Sequence, residues 1–269
     1  MDNDARSSRP VVFITGASRP NSIGAAIARN QASLGWDVAF AFWDDYDASM
    51  PWGAQERAHD AFADELRALG ARALPVAVDL SHPESPRLAV ERVRAGLGPI
   101  QALVASHAHS VDSGVLDTSV EAFDAHFAVN SRGTWLLIKA FAEQYAQPSA
   151  VSSEVGGAPA MGRIVALTSD HTAHNLPYGA SKGALDRIVI AAAVELAHLG
   201  ITANLVNPGP IDTGWMTPDL AEALAAETAL GRLGRPQDTA DLVAFLLSVS
   251  GGWVNGQLLH SNGGFHLPV

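Results

Sequence analysis

The sequence predicts an α/β fold of the doubly wound kind, a parallel sheet with helices on both faces. Three observations carry this prediction. Short apolar runs alternate with longer helical patterns, Gly35, Gly70 and Gly200 each end a helical pattern just ahead of a strand, and a Gly-rich turn follows the first strand. Runs that are apolar at every position belong to strands covered on both faces, and parallel sheets get that cover from their crossover helices.

The run VVFIT (11–15) opens the sheet, and the turn after it leads into a helix, IGAAIARNQASLG (23–35). Gly35 suits the left-handed conformation that commonly follows a helix C-terminus. DVAFAFW (37–43) is the second strand; DDYDASMPWGAQ (44–55) then breaks the rhythm as a surface loop before a helix over 54–69. ALPVAVDL (73–80) and QALVAS (101–106) are the third and fourth strands, and FDAHFAVNSRGTW (123–135) is helical. The small, polar, Gly/Pro-rich AQPSAVSSEVGGAPAMG (146–162) reads as a second, mobile surface loop. RIVALTS (163–169) and ITANLVNPG (201–209) flank a long helix at 176–199. GWMTPDLAEALAAETAL (214–230) reads as a short amphipathic helix placed as a lid over substrate, with Trp215 and Met216 as pocket walls or as the residues that pack the lid to the body. Neither loop marks a domain boundary, so 11–269 reads as a single domain behind a loose tail at 1–10.

The 269 residues, 48% of them hydrophobic, suffice for a sizeable core. Seventeen basic against twenty-eight acidic side chains give a net charge of −11, and no Lys/Arg cluster stands out, which argues against a nucleic-acid partner. The absence of cysteine excludes disulfides and thiolate chemistry and fits a reducing compartment. The most apolar long segment, IVIAAAVELAHL (188–199), is interrupted by Glu195 and is shorter than a membrane span needs. The expectation is a soluble, cytoplasmic protein with no membrane partner, acting on a small molecule.

Two stretches carry chemistry. TGASRPNSIG (15–24) is a Gly-rich strand-to-helix turn, which lets backbone N–H groups and a helix dipole meet a pyrophosphate; tight packing is the plain alternative. NLPYGASKGAL (175–185) places Tyr178 and Lys182 four apart, hence on one helix face. A nearby ammonium favours the phenolate of a tyrosine that would otherwise titrate near pH 10, and a positioned tyrosine can exchange a proton with an alcohol or carbonyl oxygen. Alone, such a pair is more simply a packed tyrosine and a snorkelling lysine. Ser169, at the C-terminal end of a strand where ligands of open parallel sheets collect, changes that weighing.

Together these motifs resemble the short-chain dehydrogenase/reductase family over nearly the whole chain, and the overall pattern is most similar to its 3-oxoacyl-acyl-carrier-protein reductase branch. The resemblance implies a single-domain Rossmann fold with a seven-stranded sheet. Gly16 and Gly24 match the first and last glycines of the family's TGxxxGxG; the middle glycine is missing, the loop is two residues longer, and Ser22-Ile23 is similar to the loop of enoyl-acyl-carrier-protein reductases. Carried over by position, Gly16, Ser18, Arg19, Ser22, Ile23 and Gly24 bind a nicotinamide dinucleotide. Phe42 or Trp43 stands where the ribose meets the second strand, Asp79 and Leu80 at the adenine, and Ser106 after the fourth strand. NPGPIDT (207–213) supplies Pro208, Gly209, Ile211 and Thr213, while GQLLHSNGGF (256–265) is similar to the family's assembly segment. Arg19 favours NADP(H) and the carboxylates Asp44 and Asp45 favour NAD; NADP(H) is the reading taken, with NAD as the alternative.

By the same resemblance Asn130, Ser169, Tyr178 and Lys182 form a catalytic tetrad: Tyr178 exchanges the proton, Lys182 lowers its pKa and binds the cofactor ribose, Ser169 holds the substrate oxygen, and Asn130 supports a proton relay through water. Two departures stand out. The nine residues from Ser169 to Tyr178 are fewer than usual, which leaves Thr168 and Thr172 as rival hydroxyls, and the usual NNAG reads Ala105-Ser106-His107-Ala108. His107 is a second proton donor, a substrate ligand or a hydrogen-bonded structural residue; His171 and His174 match no compact metal site, and no catalytic metal is expected. The implied activity is hydride transfer between nicotinamide and a carbonyl or secondary alcohol, in a homotetramer or homodimer. Enoyl reduction of a C=C bond and a nicotinamide-binding regulator without turnover are the competing functions.

Overall fold

A computed structural model describes residues 9–50, 52–54, 57–146, 154–155, 158–159, 162–214 and 216–266. Trp215 and most of 146–162 lie outside the described residues, as do residues 1–8 of the expected tail. Seven strands form one all-parallel sheet: β1 (Val11–Thr15), β2 (Asp37–Phe42), β3 (Ala73–Ala77), β4 (Ala102–Ala105), β7 (Gly162–Leu167), β8 (Ile201–Asn207) and β9 (Leu258–His260). The strands β5 (Glu154–Val155) and β6 (Ala158–Pro159) pair antiparallel apart from it, so the second expected loop carries a short ladder.

Strand order is β3-β2-β1-β4-β7-β8-β9. The chain therefore steps outward from β1 to β3 and returns on the other side of β1 at β4, leaving a crevice at the C-terminal ends of β1 and β4 where doubly wound sheets take ligands. Register aligns those ends: Thr15 pairs with Ala105, and Ala105 with Ala166.

The helices are α1 (Ile23–Ser33), α2 (Asp44–Ser49), α3 (Ala58–Ala68), α4 (Ser85–Leu97), α5 (Val120–His126), α6 (Thr134–Glu143), α7 (Leu176–Glu195), α8 (Pro218–Glu227) and α9 (Pro236–Leu247). Alternation within β1 shows why both faces need cover. Val11 and Phe13 join a cluster with α4, α6 and α7, whereas Val12 and Ile14 join one with α1, α3 and α9. Fully buried side chains of this size each contribute about 1.5–3 kcal/mol, so these two layers set the rigidity of the strand ends.

Several boundaries differ from the sequence reading. β3 stops at Ala77, so Asp79 and Leu80 lie beyond it, and β7 stops at Leu167, before Thr168 and Ser169. Residues 44–55 are not only loop, because Asp44, Asp45 and Asp47 in the first turn of α2 suit a helix N-terminus. The helical stretch at 123–135 is broken between α5 and α6 by a π-helical segment, Phe127–Gly133. At the expected lid, Thr217 caps α8 by accepting from the Leu220 N–H at 3.3 Å, and the half-buried Ala221, Leu224 and Ala225 share one side of a helix that has no fully buried residue. No helix among the described residues is long and apolar enough to cross a membrane.

Candidate active site

The glycine loop runs from β1 into α1. Gly16 has φ +72°, and a Cβ there would lie 2.7 Å from the Cα of His107; one on Gly24 would lie 2.5 Å from the Gly16 carbonyl oxygen. The loop is thus closed on itself and on the segment after β4, which only glycine permits at these positions. Ser22 caps α1, its Oγ accepting from the Ala25 N–H at 3.1 Å, while the Ile23 and Gly24 N–H groups have no acceptor among the described residues. Free N–H groups at a helix N-terminus are a donor set suited to a phosphate. Ser18 is partly exposed in the same loop.

Arg19 leaves this loop toward the end of β2. Its guanidinium carbon lies 4.3 Å from the centre of the Trp52 ring; burial pulls its pKa down, and the neighbouring Asp47 and Tyr46 push it back up. Trp43, at the N-cap of α2, is 37% exposed, which leaves its ring available to a ligand. Asp79 is committed to local structure: its Oδ1 accepts from the Ser81 N–H at 2.8 Å and His82 lies 3.4 Å from its Oδ2. Leu80 and Ile211 point into the protein, so only their backbones can reach a ligand. Pro208, Gly209 and Thr213 follow β8, the next strand of the sheet beyond β7.

Beside the loop, Ser106 donates its N–H to Thr15 Oγ1 at 3.2 Å, and His107 is buried. The His107 Nε2 is 3.1 Å from the Val129 carbonyl, which can only accept, so Nε2 carries the proton and Nδ1 accepts from Thr15 Oγ1 at 2.6 Å. Burial pushes its pKa down to about 3, with Lys182 acting in the same direction. His107 is therefore a neutral structural residue in this structure, and the proton-donor alternative falls away.

Asn130, fully buried in the π-helical segment, spends its amide on two elements. Oδ1 accepts from the His109 N–H at 2.7 Å; Nδ2 donates to the His109 carbonyl and to Ser181 Oγ, both at 2.9 Å. This commitment answers the cost of an Asn inside an apolar helix and ties the segment after β4 to α7.

On α7, Tyr178 faces Ser169. Burial pushes its pKa up to about 12, and a hydrogen bond with the Ser169 side chain pulls the other way. Thr168 instead donates its hydroxyl to Asp186, and Thr172 is exposed, so Ser169 presents the hydroxyl at Tyr178. Lys182 is buried, its Nζ donating to the Leu167 carbonyl at 2.9 Å and lying 5.8 Å from the centre of the Tyr178 ring. Burial lowers it to about 8, and Asp186 opposes that fall. Burial is the largest influence on the Tyr178 phenol, whose pKa rises rather than falls.

Comparison with known proteins shows the family. Residues 16–266 match the family profile described as Enoyl-(Acyl carrier protein) reductase. The chain is 34% identical to the uncharacterized oxidoreductase YjdA of Bacillus subtilis (strain 168), over 97% of this chain and 98% of that one. It is 37% identical to an NADPH-dependent aldehyde reductase-like chloroplastic protein of Arabidopsis thaliana, over 95% and 93%. The chain belongs to the short-chain dehydrogenase/reductase family. Among solved structures, a blue fluorescent protein from a metagenomic library in complex with NADPH superposes with TM-score 0.81 at 33% identity, covering 96% of this chain and 98% of that one.

Two further features of the site stand out in this short-chain dehydrogenase/reductase. First, the short Ser169-to-Tyr178 segment packs directly on α7: a Cβ on Gly179 would lie 2.2 Å from the His171 carbonyl oxygen. Gly179→Ala must push that backbone and Ser169 with it. The expected result is a loss of about 1–3 kcal/mol of stability and at least a tenfold fall in turnover; unchanged urea unfolding and unchanged kcat would sink it. His171 itself is exposed, its ring centre 6.3 Å from that of Tyr178.

Second, α2 brings Tyr46 to the site, which the sequence reading missed. Its hydroxyl accepts from the Ser110 N–H at 3.3 Å, and its ring lies 5.6 Å from that of His109. The available signal was compositional: Tyr46, Met50 and Trp52 are unusual cargo for a solvated loop.

Proposed function

We propose that this protein is an NADP(H)-dependent reductase of aldehydes or ketones. The observation that carries this reading is Ser169, just past the end of β7, beside Tyr178 and Lys182 on one face of α7, at the same sheet end as the Gly16–Gly24 cradle. The cradle fits a dinucleotide pyrophosphate: a side chain would fill it, and the free Ile23 and Gly24 N–H groups supply donors. Arg19, held flat on Trp52, suits a 2′-phosphate. The Arabidopsis relative is named as NADPH-dependent, and a Burkholderia cenocepacia J2315 short chain dehydrogenase in complex with NADP superposes with TM-score 0.80 at 30% identity.

When bound, the cofactor supplies or accepts a hydride. The chain does the rest. Ser169 orients the substrate oxygen by a hydrogen bond, Tyr178 donates its phenolic proton to that oxygen, and the ammonium protons of Lys182 not used on Leu167 are available to a ribose hydroxyl. Asn130 holds the Ser110 side of the pocket against α7. A phenol raised to about 12 is protonated throughout the neutral range, which suits it to donate and hence to the reductive direction.

The description of the matching profile favours a second reading, reduction of a C=C bond. The Tyr178-xxx-Lys182 spacing opposes it, because the enoyl reductases that the glycine loop resembles space the two residues more widely, whereas i, i+4 puts them on one helix face. Absorbance at 340 nm with NADPH or NADH decides between them: the expected result is oxidation of NADPH by aldehydes or ketones. Turnover of enoyl substrates alone would reverse the order of the two readings.

A further inference from the structure

Residues 43–50, with Trp52 beyond them, form a strap held at two points. At one end, Trp52 Nε1 donates to Oδ1 of the buried Asp47 at 2.9 Å, and Arg19 stacks on the Trp52 ring. At the other end, Tyr46 takes the Ser110 N–H. Ser110 is itself fixed, its Oγ accepting from Asn175 Nδ2 at 3.0 Å and its neighbour His109 clamped by Asn130. Because β1 lies between β2 and β4, a segment that leaves β2 and reaches the residues after β4 crosses over the end of β1. That is the crevice described above.

Tyr46 is half-buried, and burial lifts its pKa above the usual tyrosine value, so it is a neutral phenol under ordinary conditions. Its oxygen accepts from Ser110, and no group among the described residues accepts its proton. A neutral phenol with one acceptance satisfied has a hydrogen-bond donor to give.

We propose that Tyr46 is a ligand-binding residue of this site, carried across the crevice by the strap to donate a hydrogen bond to an oxygen of the bound ligand. The proposal rests on the reductase reading above, and the oxygen belongs to the cofactor or to the substrate.

The test compares wild type with Tyr46→Phe in two measurements: NADPH dissociation, by stopped-flow nucleotide fluorescence, and kcat and KM for a carbonyl substrate. Loss of one neutral hydrogen bond corresponds to about a two- to tenfold change. NADPH release faster by that factor, with KM unchanged, assigns the oxygen to the cofactor. A KM raised by that factor, with kcat and NADPH release unchanged, assigns it to the substrate. Equality with wild type in all three quantities overturns the proposal. Tyr46→Leu, which keeps an apolar plug, supplies the same readout should the phenyl ring disturb the strap. A wild-type protein that binds no NADPH overturns the underlying function instead, so the two failures are told apart.

Discussion

Tyr178→Phe is expected to lower kcat about a thousandfold while NADPH affinity changes little. The ring is retained, so the packing of α7 against the His171 segment survives; only the hydroxyl is lost. That hydroxyl lies beside Ser169, whereas His107 is buried neutral with both ring nitrogens engaged. A positioned general acid contributes about 10²- to 10⁴-fold, and no second donor stands ready except Tyr46, which offers at most a partial substitute. Steady-state kinetics on the best carbonyl substrate, with NADPH affinity measured by fluorescence, checks both halves. Turnover within tenfold of wild type would remove Tyr178 from the proton transfer. If only the double variant Tyr46→Phe/Tyr178→Phe lost the remaining activity, the proton would have a second route.

The sheet was legible in the sequence because both of its faces are buried. Val11 to Ile14 are apolar without alternation, since each side chain meets a helix layer, and no half-exposed strand produces that run. The catalytic pair was legible because helical spacing alone brings Tyr178 and Lys182 to one face. Strand ends were not, because Asp79 and Ser169 continue extended runs but turn their side chains to local N–H groups at Ser81 and His171. The role of His107 was hidden for a different reason: its tautomer is dictated by Val129 and Thr15, 22 and 92 residues away. Tyr46 was missed because a six-residue helix rich in Asp looks like solvated surface, and only the sheet order shows where its other face lands.

Lys182→Met is expected to impair turnover and also to reverse its stability difference from wild type as pH rises. Burial lowers the Lys182 ammonium to about 8 from 10.5, so the unfolded chain holds this proton more tightly than the folded one. Below about pH 8 the wild-type fold carries the whole penalty, roughly 3 kcal/mol at 1.36 kcal/mol per pKa unit. Between about 8 and 10.5 the folded lysine loses its proton first and the penalty disappears, so wild-type stability rises across that window. Methionine carries no such penalty, but it leaves the Leu167 carbonyl without its donor, at a cost of about 1–3 kcal/mol that does not depend on pH. Near neutrality the variant should therefore match or exceed wild type, and near pH 10 it should fall below. Tyr178, raised to about 12, loses stability to rising pH above its ordinary value of 10, but it does so in both proteins and cancels from the difference. Urea unfolding of the two proteins from pH 7 to pH 10 measures that difference directly. A constant offset across the range would mean that Lys182 keeps its ordinary pKa, and with it that the ammonium is far better solvated than its burial and single carbonyl partner imply.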